Sequence, residues 1–318
     1  MSKSTSRSTV CVCIVTYNSG RDIGDCLQAA LEQSFPISSI IVVDNASSDN
    51  TCEIVEAFQE KGVKLIRNDV NRGFAGGHNQ ARSYTESDYV LVLNPDVILD
   101  TDYLANIIDF MDNHPEVGSA TGQLRRADDL SVMDSAGIEL TADHNARDIA
   151  SGDSISKWCD RQEIFGVSGA AAVYRTAMIK EVAYKGQFFD EDFFAYKEDV
   201  DVAWRARHLG WKAWYIPEAK AIHGRGWKEG GRKSIALFVR KHSYQNRFFT
   251  IIKNEPFGKH WLKFLPVFVA KEVAKLIYIL LKEPQLLSCW PFIIKKIPDM
   301  IRKRQYTFHK KIAKNRNH

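Results

Sequence analysis

The sequence lacks any run of roughly 20 apolar residues of the kind a membrane-spanning helix needs. Its longest uncharged stretch in the C-terminal region, Pro284 to Ile294, has 11 residues and two prolines, so no segment is expected to cross a bilayer. Glycine-rich nucleotide signatures are missing as well. No G-x-x-x-x-G-K-[ST] loop occurs and no G-x-G-x-x-G follows the first apolar run, which argues against an ATPase or a dehydrogenase. The six cysteines, Cys11, Cys13, Cys26, Cys52, Cys159 and Cys289, have neither disulfide nor zinc spacing and are expected to be reduced thiols. Met1 to Thr9 is polar and Ser/Thr-rich without the apolar core of a signal peptide, and the expected location is the cytoplasm. A large excess of one charge is absent too: 43 Lys and Arg against 39 Asp and Glu leave +4, which by itself points neither to nucleic acid nor to an acidic substrate.

What is present is length and apolar content enough for a sizeable core, with 45% hydrophobic residues in 318. The charge is unevenly placed. From Lys263 to His318 there are 13 basic and 3 acidic residues, so an acidic body carries a basic tail. Short apolar runs at Val10 to Val15, Ser39 to Val43, Lys64 to Arg67 and Tyr89 to Leu93 alternate with amphipathic stretches at Arg21 to Gln33 and from near Asn50, where Glu53 stands at capping-box distance, to Lys61. Apolar strands alternating with helices predict an α/β fold, a mostly parallel sheet flanked by helices, with ligands at the carboxyl ends of the strands. Gly118 to Phe165 is weakly periodic and is expected to form irregular strands and loops. Further on, a strand is expected over Gly166 to Arg175, a helix over Val200 to Leu209, and two short strands at Lys212 to Ile216 and Lys220 to Ile222. A basic, Gly-rich loop from His223 to Lys233 precedes a helical C-terminal region broken by five prolines. The expected division is a body over residues 1–250 and a basic amphipathic helical extension over 251–318.

Five motifs stand at the predicted strand ends and helix starts. They are Val15-Thr16-Tyr17-Asn18, Val43-Asp44-Asn45-x-Ser47-x-Asp49-x-Thr51, Asn71-x-Gly73-Phe74-Ala75-Gly76-Gly77-x-Asn79, Asn94-Pro95-Asp96 and Glu198-Asp199-x-Asp201. Each has a plain structural reading. Asn18-Ser19-Gly20 can be a turn, Ser47 or Asp49 a helix cap, the three glycines a close helix contact, Asn94-Pro95-Asp96 a turn, and Glu198-Asp199 an N-terminal helix charge pair. Each also has a chemical one: a carboxylate at a strand end can bind a nucleoside or a hard divalent cation, and a helix N-terminus preceded by glycines can approach phosphate.

In this order and spacing, over about residues 9 to 250, the set closely resembles the inverting family 2 glycosyltransferases of GT-A fold. Within that family it is most like bacterial rhamnosyltransferases that use dTDP-rhamnose. The resemblance implies that Thr16, Tyr17 and Asp44 bind base and ribose, that Asn18, Arg72, Gly73, Gly76 and Asn94 also belong to the nucleotide-sugar site, and that Asp96 with His223 holds Mg²⁺ or Mn²⁺. Relatives commonly have Asp-x-Asp where this chain has Asn94-Pro95-Asp96. Asp199 is then the general base that takes a proton from the acceptor hydroxyl. Arg247 is expected to reach phosphate or to lie on a solvated basic helix face, and Arg225, Lys228, Arg232 and Lys233 to fold over the diphosphate.

The tail interleaves Trp261, Leu262, Phe264, Leu265, Val267, Phe268, Val269, Leu276, Ile277, Ile279, Leu280 and Leu281 with Lys263, Lys271 and Lys275. That is the composition of an interfacial segment on an anionic membrane surface, or of a bundle that packs on the body or forms a homo-oligomer. A nucleic-acid partner is not expected, because no recognised module accompanies the basic residues. The expected function is transfer of a sugar to a glycan or lipid-linked saccharide acceptor in bacterial surface polysaccharide synthesis, on the inner face of the cell membrane. A non-catalytic nucleotide-sugar-binding or scaffolding subunit is the alternative.

Overall fold

The structure is a computed structural model that describes residues 8–141, 144–224 and 235–316, with the side chains of 259–264 and 315 outside that description. Arg225, Lys228, Arg232 and Lys233 of the basic loop, and the side chains of Trp261, Leu262, Lys263 and Phe264, therefore lie outside the described residues.

The N-terminal half alternates as the apolar runs predict. The order is β1 (Val10–Thr16), α1 (Ile23–Leu31), β2 (Ser39–Asp44), α2 (Thr51–Glu56), β3 (Val63–Arg67), α3 (Gly73–Arg82) and β4 (Tyr89–Leu93). Then follow β5 (Val97–Leu99), α4 (Tyr103–Asn113), β6 (Val117–Arg126), β7 (Met133–Ser135), β8 (Ile138–Leu140), β9 (Ala146–Asp148), β10 (Gln162–Ile164), β11 (Ala171–Arg175) and α5 (Thr176–Val182). The last elements are α6 (Glu198–His208), β12 (Lys212–His223), α7 (Leu237–Asn254), α8 (Lys259–Lys282) and α9 (Trp290–Arg316). At the start of α2, Asn50 makes no side-chain cap bond. Asp49 does that work instead, accepting from the Thr51 and Gly20 backbone amides.

One twisted sheet runs β10-β12-β6-β11-β4-β1-β2-β3, with β5 and β7 on the sides of β12 and β6. β1 pairs in parallel with both β2 and β4, which fixes the carboxyl ends of these strands on one edge. β11 runs antiparallel between β4 and β6, making the sheet mixed. Apolar clusters fill both faces: Val12, Ile14, Leu91 and Leu93 on one, and Cys13, Ile41, Val43 and Val92 on the other, as expected of strands covered on two sides. All six cysteines are free thiols.

Two expectations are corrected. Gly118 to Phe165 contains nine of the ten residues of β6, an interior strand of the sheet whose first eight residues are buried. Lys212 to Ile216 and Lys220 to Ile222 belong to one strand, β12, whose register against β6 shifts between Ile216 and Lys220 around Pro217. That is how a strand accommodates a residue without a backbone donor.

The division at residue 250 falls within α7, and α9 lies against α7 and α6. Phe193, Phe249, Cys289, Ile293 and Met300 form a buried cluster between them. The basic residues of α9 face acidic ones on the body: Lys296 meets Asp192, Lys303 meets Asp190 and Asp192, and Lys314 meets Glu181. The opposite charges of body and tail thus serve, in part, to dock the last helix.

Candidate active site

The carboxyl ends of β4 and β12 and the N-terminus of α6 converge on a cavity of about 1700 Å³, whose far wall is built by α7 and α8. Of the donor, metal and base candidates named in the sequence, Asn94, Asp96, Asp199, His223 and Arg247 line it, with Glu198 beside Asp199.

Asp96 sits just beyond β4, one quarter exposed, with its Oδ1 3.5 Å from His223 Nε2. Nδ1 of His223 pairs with Asp134 Oδ2 at 2.8 Å, which fixes the ring so that Nε2 faces Asp96. Burial alone would push the imidazole pKa down, but hydrogen bonds and charge from Asp134 and Asp96 outweigh it and raise it to about 9. Asp134, on β7, is a site residue that sequence reading missed, since its partner is 89 positions away and nothing local marks it.

No group of three or more His, Cys, Asp and Glu side chains suited to a metal occurs among the described residues. A carboxylate beside an imidazole oriented by a second carboxylate nevertheless fits a divalent cation that takes its other ligands from phosphate and water, as Mg²⁺ usually does.

Asp199 is the second residue of α6. Its Oδ2 accepts from the Gly169 amide at 3.1 Å and its Oδ1 from the Val200 amide at 2.7 Å. Burial raises its pKa from the ordinary aspartate value, although these two backbone bonds act in the opposite direction. Glu198, next to it, is buried with no hydrogen-bond partner at Oε2, and burial followed by the Asp199 charge holds its carboxyl well above the ordinary value. Asp201 points elsewhere. It is fully buried between Arg205, Lys253 and Asn254 and is a structural residue.

The nucleoside candidates form a second cluster at the ends of β1 and β2. Thr16 donates to Asp44 Oδ1 at 2.9 Å, and the Ser47 amide donates to Asp44 Oδ2 at 2.9 Å, so this buried carboxylate is already bonded within the protein. The Asn18 amide donates to Ser47 Oγ, and Asn18 Oδ1 accepts from the Ser48 amide. Tyr17 projects outward, 55% exposed. Arg72 lies just before α3 with Nη1 3.4 Å from Gln80 Oε1.

The glycines of α3 are pressed against protein. A Cβ on Gly73, which has φ 70°, would stand 2.4 Å from the Phe194 carbonyl oxygen, and one on Gly77 would stand 2.7 Å from a Val15 methyl. Gly76 has more room, its nearest neighbour being Arg72 Cβ at 3.1 Å. Asn79, the last residue of that motif, accepts from the Phe188 and Phe189 amides and donates to the Phe189 carbonyl. The motif therefore docks the acidic segment ahead of α6. Arg247 is buried and meets both oxygens of Glu272 on α8, at 2.7 and 3.0 Å.

The family model for Glycosyl transferase family 2 matches residues 11–183. The chain belongs to this family. Poly-beta-1,6-N-acetyl-D-glucosamine synthases of Staphylococcus epidermidis and Staphylococcus aureus are 26% identical to it over 212 residues, which cover 65% of this chain and 47% of each relative. The chain thus spans about half the length of these relatives. Among solved structures, S. aureus TarS in complex with UDP aligns with a TM-score of 0.57 at 19% identity, covering 96% of this chain and 88% of that one. A mannosyltransferase from Pyrobaculum calidifontis with GDP-Man and Mn²⁺ aligns with a TM-score of 0.58 at 20% identity, covering 98% and 88%. These neighbours share the GT-A fold that the motifs imply. In this family 2 chain the matched region carries β1 to β4, Asp96 and Asp134, whereas Asp199 and His223 lie beyond it.

Proposed function

We propose that this chain is an inverting glycosyltransferase that moves a sugar from a nucleoside diphosphate to a saccharide acceptor in bacterial polysaccharide synthesis. The observation that carries the reading is that Asp199 and the Asp96–His223 pair line the same cavity. In the proposed reaction Asp199 removes the acceptor hydroxyl proton. The hydroxyl oxygen forms the new bond to the anomeric carbon as the bond to the diphosphate oxygen breaks, with inversion. Asp96 and His223 would hold Mg²⁺ or Mn²⁺, which supplies positive charge against the departing diphosphate. The Thr16–Asp44 cluster with Tyr17 and Asn18 is proposed to receive the nucleoside, and Asn94, Arg72, Gly73, Gly76 and Arg247 to act around the remainder of the donor. Any approach of Arg247 to phosphate exchanges its bond to Glu272.

Motif likeness makes dTDP-rhamnose the proposed donor. UDP-GlcNAc and GDP-mannose are the comparison donors, since UDP and GDP-Man are the ligands of the structural neighbours. Thermal unfolding with each nucleotide, with and without Mn²⁺, tests the reading, because a ligand at 100 times its Kd stabilises by about 2.7 kcal/mol. Asp96→Ala is expected to abolish the metal-dependent part of the shift and to leave the metal-independent part. If no nucleotide shifts the wild-type protein, the reading fails. Binding without turnover across donors and acceptors would favour a non-catalytic subunit.

The membrane-facing part of the proposal rests on α8. Val267, Val273, Ile277, Leu280 and Leu281 are each at least half exposed there, beside the exposed Lys271 and Lys282, and no helix among the described residues is long and apolar enough to cross a membrane. We propose that this face lies on an anionic bilayer where a lipid-linked acceptor would be presented. Sedimentation with phosphatidylserine vesicles is expected, weakening as salt rises, and an Ile277→Glu, Leu281→Glu double variant should remain in the supernatant. Equal sedimentation of both proteins would remove the idea, and a change of mass in solution instead would assign the face to a homo-oligomer.

A further inference from the structure

The segment that leads into α6 is bent in a way its side chains resist. Phe194 has φ 62° and ψ −66°. The Ala195 amide donates across it to the Phe193 carbonyl at 2.7 Å, which makes a γ-turn of the rare, strained kind. Tyr196 and Lys197 follow with φ 72° and 69°. Three of the four residues immediately before Glu198 and Asp199 are therefore non-glycine residues in positive-φ conformations. Strain of this sort persists only where the surroundings enforce it, and it collects at reacting sites.

The enforcement is visible in the carbonyls. Asn246, fully buried on α7, directs Nδ2 at the carbonyl oxygens of Phe193, Ala195 and Tyr196, at 2.8, 2.9 and 2.7 Å. The carbonyl between them, that of Phe194, accepts from the Ala75 amide of α3 at 3.1 Å. Four successive carbonyls are thus held by two groups from outside the segment, the Asn246 amide and the Ala75 N–H, and Asn79 holds the chain at Phe188 and Phe189. Gly73 leaves the space that the Phe194 carbonyl fills.

We propose that Asn246 is a positioning residue for the transfer step: its amide holds Phe194 to Lys197 in the conformation that starts α6 at Glu198 and sets Asp199 at the cavity. This rests on the reading of Asp199 as the base. Asn246 is fully buried and does not line the cavity, so its loss should act on turnover more than on donor affinity.

The test compares wild type with Asn246→Ala, following release of nucleoside diphosphate from dTDP-rhamnose and UDP-GlcNAc with Mn²⁺ as the sugar passes to water in place of the saccharide acceptor, together with hydrogen–deuterium exchange over residues 193–201. Asn246→Ala should lower kcat by about 10²-fold with donor KM changed by no more than about twofold, and should speed exchange in that segment alone. Adding Tyr196→Gly, which accepts positive φ without steric penalty, should restore part of the kcat. Unchanged kcat and exchange would overturn the proposal. So would a loss of kcat with exchange raised throughout the chain and no recovery from Tyr196→Gly, since that outcome marks a general fold defect. If the wild type releases nothing from either donor, the reading of the site as a transferase for these donors fails, and the exchange experiment still decides whether Asn246 holds the segment.

Discussion

Replacing Asp199 with Asn is expected to lower turnover by about 10²- to 10⁴-fold while donor binding stays nearly intact, because a general base acts in the transition state and contributes that much. Asn keeps the shape and can still accept from the Gly169 or Val200 amide, so the loss reports chemistry rather than collapse. The pH profile follows from the raised carboxyl pKa. A base must be ionised to work, so kcat should fall as pH drops through the raised Asp199 pKa, and the fall should begin at a higher pH than for a free aspartate. Stability has the opposite sign. A carboxylate whose pKa is raised on folding contributes stability below its unfolded pKa and loses it as pH climbs through the folded one. At neutral pH the buried Asp199 charge therefore costs the fold something, which offsets the one backbone bond that Asn gives up, and Asp199→Asn should melt close to wild type. Near-normal turnover in the variant would sink the assignment, and a large drop in melting temperature would make Asp199 a structural carboxylate like Asp201.

The parts of this site that were legible in the sequence are those set by local chemistry. Val10 to Val15 and Tyr89 to Leu93 are continuous apolar runs, and β1 and β4 form where these runs stand. Asp44 and Asp96 follow such strands, and Asp199 opens a helix, so position alone drew attention to them. β6 was illegible for a definite reason. Its sequence, VGSATGQLRR, buries mostly polar and small residues, with Val117 and Leu124 its only branched apolar ones. Thr121 is satisfied by donating to the Ala171 carbonyl, and Gln123 donates to the Trp158 carbonyl. At Gly122 a Cβ would collide with the Ala219 carbonyl and the Tyr103 ring, so glycine is what lets strand and helix close up there. Burial of polar groups is permitted when each finds a partner, and the partners lie about 35 to 50 positions away. Asp134 and Asn246 escaped notice for the same reason: what they do is defined by distant chain, namely His223 and the carbonyls of Phe193 to Tyr196. The glycines of the third motif were visible as close-approach residues, but which surface approaches them was decided by the fold.

The largest stability effect is expected from Lys253→Met. Lys253 is buried on α7, with Nζ 2.5 Å from Asp190 and 2.8 Å from Asp201, while Lys303 of α9 also holds Asp190 and Arg205 also holds Asp201. Removing one partner from a buried ion pair typically costs about 3 to 5 kcal/mol, because the charge left behind has lost its compensation. The lower end of that range applies here, since Lys303 and Arg205 remain. Burial alone would raise the two carboxyl pKa values, but the charges of Lys253 and Lys303 hold Asp190 well below the ordinary range, and those of Arg205 and Lys253 lower Asp201. Depressed carboxyl pKa values contribute stability above the unfolded pKa of about 3.9, and that contribution is lost as pH falls through the folded values. The gap between wild type and Lys253→Met in urea midpoint should therefore be widest near neutral pH and shrink below about pH 4. An offset that stays constant with pH would mean that packing of the lysine stem, rather than its charge, sets the loss. The same titration bears on chain organisation. Lys253 on α7 joins Asp201 on α6 to Asp190, which Lys303 on α9 also grips, so body and last helix share one ionic core. A single cooperative unfolding transition is the expected result, whereas an independent extension after residue 250 would unfold in a step of its own.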